Sequence, residues 1–184
     1  MNIKTLFQVS ALAFSIALAN VTGASAYQPI DGVTARLDVA VLAPTGLIKF
    51  CGHNPAECRP SSVSSVTATS DLLALIDRVN RQVNRQITPR ASSNEVWSVG
   101  ARYGDCDDYV MTKRAQLIRS GVPAGALRIA ATRAGGVGHA ILIVKTNRGD
   151  YVLDNLHPSV RLLGETRYRI LGISTNNPMR WTAG

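Results

Sequence analysis

The three cysteines of this chain are not equivalent. Cys51 and Cys58 lie close together in Phe50-Cys51-Gly52-His53-Asn54-Pro55-Ala56-Glu57-Cys58, while Cys106 stands alone in Tyr103-Gly104-Asp105-Cys106-Asp107-Asp108-Tyr109. An odd cysteine in an exported protein is either a partner for another chain or a reactive thiol. Downstream stand His139 and Asp154. A thiol, an imidazole base and a carboxylate to orient it are the three parts that nucleophilic acyl transfer needs. Cys106 falls at the expected first turn of a helix. The unpaired amides and positive dipole end there favour a thiolate and offer an oxyanion donor. The acids Asp105, Asp107 and Asp108 act in the opposite sense, because like charge raises a thiol's pKa. Calcium held by Asp105 and Asp107 would neutralise them with hard oxygen ligands. The competing reading makes one of them a helix cap and the others complements to the dipole. Equally, a cysteine at a helix start can be a small buried residue, and a single histidine or aspartate a satisfied polar group.

These side chains need elements to hold them. Ser70 to Ile87 reads as a helix capped by Ser70, with Leu72, Leu75, Ile76, Val79, Val83 and Ile87 on one stripe and Thr88-Pro89 ending it. Residues 90–104 read as a polar loop holding Trp97. Asp107 to Ser120 reads as a second helix, with Lys113, Arg114 and Arg119 placed towards its C-terminus, where cations suit the dipole. Gly121 and Pro123 stop it. Leu127 to Thr132 is a short strand, Ala134 to Gly138 a flexible glycine run, Ala140 to Thr146 an apolar strand, and Tyr151 to Asp154 its hairpin partner. A turn at Arg148-Gly149 pairs Ile143 with Asp154. A turn at Thr146-Asn147 pairs His139 with Asp154. Both registers leave the two functional residues on one face. The tail is expected to add one strand containing Tyr168, Ile170 and Leu171. Tyr27 to Phe50 reads as extended, leading to the cysteine loop. One α+β domain over residues 27–184 is the economical architecture.

Residues 1–26 have the form of a cleaved secretory signal: a basic start at Lys4, an apolar stretch from Leu6 to Ala19 and a small-x-small site at Ala24-Ser25-Ala26. The apolar run is short and broken for a membrane span. The expected location is therefore periplasmic or secreted. Export permits a Cys51–Cys58 disulfide across a proline-containing surface loop. A zinc site is disfavoured, because two thiols and His53 lack a fourth nearby ligand. The net charge of +8 comes from scattered basic residues. No aromatic stacking motif accompanies them, which argues against nucleic acid and for a solvated cationic surface.

Gly104-Asp105-Cys106-Asp107-Asp108-Tyr109, Gly121-Val122-Pro123, Gly138-His139-Ala140 and Tyr151-Val152-Leu153-Asp154-Asn155 together resemble the bacterial transglutaminase-like cysteine peptidases. The likeness extends to Val79-Asn80, Val83-Asn84, Trp97 and the Phe50-Cys51…Cys58 loop, and so spans most of the residues after the signal. One departure is Asp107, where the family often has glutamate. The resemblance implies a papain- or transglutaminase-like fold, with the nucleophile at a helix N-terminus packed against an antiparallel sheet. It also implies a catalytic triad of Cys106, His139 and Asp154, and calcium as cofactor at Asp105 and Asp107. The implied substrate is a protein such as a large biofilm adhesin on the cell surface, with an inner-membrane regulatory partner. Two rivals share the fold: a transglutaminase-type acyltransferase, and a non-catalytic calcium-binding or adaptor domain.

Overall fold

The structure, a computed structural model, describes residues 39–91 and 96–184. The described residues all fall within the second of the chain's two units, Leu37–Gly184. The expected signal segment and the 26/27 boundary lie outside the described residues. Among the described residues no helix is long and apolar enough to cross a membrane.

Within the second unit, strand β1 (Ala40–Val41) and helix α1 (Thr45–His53) precede the long helix α2 (Ser70–Gln86). A small parallel pair, β2 (Thr88–Pro89) and β3 (Tyr103–Gly104), leads to α3 (Cys106–Arg119). There follow β4 (Leu127–Ala134), β5 (Val137–Thr146), β6 (Gly149–Leu153), β7 (Arg161–Leu162), β8 (Gly172–Ser174) and β9 (Trp181–Ala183). Seven strands form one sheet in the order β1-β9-β8-β4-β5-β6-β7, antiparallel throughout. The α+β expectation holds. Helix α3 lies against β5, and the main core joins Tyr109, Val110 and Leu117 of α3 to Leu142 and Val144 of β5 and to Ile76, Val79 and Val83 of α2. Leu142 is wholly buried, so its truncation to Ala would cost about 2–5 kcal/mol.

Several local expectations are corrected. The stretch before Cys51 is not extended up to Phe50. Pro44 sets up α1, and Leu47, Phe50 and Cys51, at helical spacing, turn one face inward. Cys51 and Cys58 are bonded to each other, with Cα atoms 5.6 Å apart. The bridge is buried in the core rather than stapling a surface loop. The cap of α2 is Thr69, whose hydroxyl accepts from the Leu72 N–H at 3.2 Å.

Lys113 and Arg114, expected towards the C-terminus of α3, are buried in mid-helix. α3 is enclosed on several sides, and the Arg114 guanidinium reaches the Glu57 carbonyl at 2.6 Å, beside the disulfide. The glycine run is a tight two-residue hairpin. Gly135 and Gly136 both have positive φ, +56° and +83°, as a turn of this hand requires. β5 therefore begins at Val137, and His139 sits inside the strand, opposite Thr132. The expected tail strand is also wrong: Tyr168 lies in an irregular segment between a 3-10 turn (Leu163–Glu165) and β8.

Candidate active site

Cys106 is the first residue of α3, and Asp105 caps the helix. The Asp105 carboxylate accepts from the Asp107 N–H at 3.3 Å, while Asp108 reaches back to the Asp105 N–H at 3.1 Å, forming a capping box. Asp108 is buried, and its other oxygen accepts from the N–H and hydroxyl of Ser98 at 2.9 and 2.6 Å. Gly104 permits this packing, since a Cβ there would meet Asp108 Oδ2 at 2.3 Å. The three neighbouring acids thus differ in role. Asp108 is a structural clasp, whereas the carboxylates of Asp105 and Asp107 flank the thiol.

The β5–β6 register is neither of those considered from sequence. Thr146 pairs with Gly149 and Leu142 with Leu153, so the turn is Asn147-Arg148. One step further, Asp154 falls opposite Ile141, diagonal to His139, with both on the same face. His139 Nε2 lies 2.9 Å from Asp154 Oδ1. Thus β5 supplies the imidazole and the end of β6 supplies the carboxylate. Helix α2 fixes that end. Asn80 accepts from the Asp154 N–H at 3.1 Å and Asn84 donates to the Asp154 carbonyl at 2.9 Å. The same two asparagines donate to the carbonyl of His157, and Asn80 also to that of Pro158.

Tyr168 completes the carboxylate's shell by donating its hydroxyl to Asp154 Oδ2, with its ring centroid 6.0 Å from that of His139. Sequence reasoning did not single out Tyr168, because no local pattern links an irregular tail to a strand end. Burial alone would raise the Asp154 carboxyl. Hydrogen bonds from His139, Tyr168 and the Leu156 N–H outweigh burial and hold it down at about 2.

Cys106 and His139 line the same cavity of about 340 Å³, with Trp97, Asp107, Ala131, Gly138 and Ala140. Trp97 is a buried core residue as well as part of this wall. Cys106 is the free cysteine. Its thiol is not held low by the helix start. Burial pushes it up to about 11, reinforced by the charge of Asp107 and less so of Asp105, against the backbone N–H groups of Ala140 and Asp107. The dipole expectation loses to desolvation and like charge.

The ligating atoms of Asp105, Cys106 and Asp107 lie within 4.8 Å of one another. Two hard carboxylates beside a soft thiol are a donor set that would suit calcium through their oxygens. A cation there would offset the two charges that disfavour the thiolate.

A sequence model of the bacterial transglutaminase-like cysteine proteinases matches residues 38–183. The chain belongs to this family. It is accordingly a cysteine peptidase. Legionella pneumophila LapG in its calcium-bound form is similar in structure, with a TM-score of 0.52 and 18% identity, covering 59% of this chain and 67% of that one. The EGTA-treated form of the same protein gives 0.50 and 19%, covering 55% and 62%. At these identities the likeness shows the shared transglutaminase-like fold. No curated protein sequence matches.

Proposed function

We propose that this chain is an exported endopeptidase in which Cys106 attacks a peptide carbonyl, His139 serves as base and Asp154 orients the imidazole. The observation that carries the reading is the 2.9 Å contact between His139 Nε2 and Asp154 Oδ1 beside a cavity shared with Cys106. With Nε2 committed to the carboxylate, Nδ1 is the ring nitrogen left for the thiol proton. Attack breaks the S–H bond as the S–C bond forms, and the proton passes to His139 and then to the leaving amine. Water resolves the acyl-enzyme with His139 again as base. The Cys106 N–H, at the first helical position, has no intrahelical acceptor and is an oxyanion donor.

Calcium would be held by Asp105 and Asp107 and would supply charge neutralisation beside the thiol. Support comes from the carboxylate pair and from the calcium-bound form of the LapG neighbour. The proposed substrate is a large cell-surface adhesin met in the periplasm, with activity governed by an inner-membrane partner, as the family resemblance implies.

The test incubates mature protein with candidate exported adhesins, with and without chelator, comparing wild type with Cys106→Ala. Cleavage that requires both Cys106 and calcium supports the reading. Transfer to an added primary amine with no hydrolysis would replace it with acyltransfer. Equal cleavage by Cys106→Ala would overturn it.

A further inference from the structure

The β4–β5 hairpin that carries His139 also borders a second cavity, of about 450 Å³, which the acyl-transfer scheme does not use. Arg133, His157, Arg161 and Arg167 line it, together with Glu165 and Tyr168. The three arginines come from separate parts of the chain: Arg133 from β4, Arg161 from β7 and Arg167 from the irregular segment before β8. Only the fold brings them together. Gathering like charge in a recess works against the folded state unless an anion enters it. None of the three guanidiniums is ion-paired to a carboxylate among the described residues. Glu165 is turned to its own backbone, accepting from the Leu162 N–H at 3.4 Å. Arg133 gives one nitrogen to the Gly136 carbonyl at 2.8 Å and keeps the rest of its five donors.

Two connections join this cavity to the catalytic one. Tyr168, in its wall, donates to Asp154, which meets His139 at 2.9 Å. Arg133 also stands opposite Gly138 in the β4–β5 ladder, and Gly138 lines the catalytic cavity. Residues directly opposed in an antiparallel pair have Cα atoms about 4.5–5.5 Å apart. The two cavities are therefore neighbours on one hairpin, within reach of a single extended peptide at ~3.3 Å per residue.

We propose that the second cavity is a subsite for acidic side chains of the protein substrate, in which Arg133, Arg161 and Arg167 hold carboxylates a few residues away from the bond that is cut. This rests on the peptidase reading above and narrows its substrate to chains with Asp or Glu near the cleavage site. Guanidinium forks match the two oxygens of a carboxylate and bind it with charge-assisted hydrogen bonds. Donors that line a recess suit a side chain projecting from a peptide better than they suit a flat bilayer.

The test uses the full chain carrying Cys106→Ala and a fluorescein-labelled hexaglutamate peptide, with binding read by fluorescence anisotropy. Arg161→Gln with Arg167→Gln should weaken binding about tenfold or more, and Arg133→Gln alone by a smaller factor. Arg119→Gln with Arg180→Gln removes the same charge from exposed positions outside the cavity and should change binding less than about twofold. Equal binding by the parent chain and the cavity double variant would overturn the proposal, as would equal weakening by both double variants. Phosphatidylglycerol vesicles or inorganic phosphate binding through these arginines when the peptide does not would overturn it too. With Cys106 restored, the sites cut in a proteome-derived peptide mixture are sequenced. The parent chain should favour Asp or Glu at a fixed offset from the cut, and the cavity double variant should still cut but lose that preference. Cleavage with no acidic preference defeats this proposal and leaves the peptidase reading intact. Arginine-dependent peptide binding in a chain that cleaves nothing defeats the peptidase reading, and the cavity then stands as an acidic-peptide site alone.

Discussion

Replacing Asp107 with Asn should activate the thiol in the absence of calcium while removing the response to calcium. Cys106 Sγ lies 4.0 Å from Asp107 Oδ1. Two unit charges at that distance repel by about 1 kcal/mol in water and about 4 kcal/mol at an effective dielectric near 20. The thiol is half-buried and opens to a cavity, so the lower part of that range applies. That corresponds to roughly a 5- to 10-fold gain in thiolate at fixed pH. It cannot restore an ordinary thiol, since burial is the larger cause of the rise to about 11. The assay is pseudo-first-order alkylation by iodoacetamide near neutral pH, first in chelator and then across a calcium titration. Wild type should react slowly in chelator and faster with calcium. Asp107→Asn should start faster and respond little, having lost a ligand. Equal rates for the two proteins in chelator would refute the argument that like charge suppresses the nucleophile.

Other outcomes follow from the same contacts. Tyr168→Phe removes a charge-assisted hydrogen bond from Asp154, a loss of about 1.5–3 kcal/mol. The Asp154 carboxyl should rise from about 2, narrowing the pH range above which its stabilisation is present, seen as acid unfolding at higher pH. Lys113→Met should stabilise the fold. The amine sits at about 7 when folded against an ordinary 10.5, so its cost is complete below pH 7 and fades as pH rises towards 10.5. The gain in Tm should accordingly be greater at pH 6 than at pH 10, and an equal gain at both would count against a charged, buried lysine. Replacing Cys51 and Cys58 by Ser should cost about 2–3 kcal/mol in chemical denaturation, the range expected for a short closed loop.

The parts of the site legible in sequence were those with local signatures. Cys106 at a helix start follows from a capping pattern and a helical stripe, and the Cys51–Cys58 pairing from an odd cysteine count. The β5–β6 register was not legible, because both turns considered kept His139 and Asp154 on one face and the observed one differs from each by two residues. Alternation cannot choose among such shifts. Lys113 and Arg114 were read as complements to the C-terminal dipole, and only the helix, sheet and disulfide around α3 reveal that they are buried in mid-helix. Tyr168 reaches Asp154 from an irregular segment, which carries no period. Asn80 and Asn84 did leave a signal: amides four residues apart beside an apolar stripe.

Those asparagines make α2 a phase-sensitive part. Their grip on the Asp154 segment depends on both amides facing it at once. One residue inserted or deleted N-terminal to Asn80 within the helix turns the preceding apolar stripe by about 100° relative to the amides. Either the stripe leaves the core or the amides leave Asp154, and no intermediate rotation satisfies both. The connector at residues 59–69 has no helical phase to keep, and it is tied to the rest of the fold only at points such as Ser61, Val66 and Ala68. Variation in this protein's length should accordingly gather before Thr69 and stop at the helix, although no residue of α2 is proposed to touch the substrate.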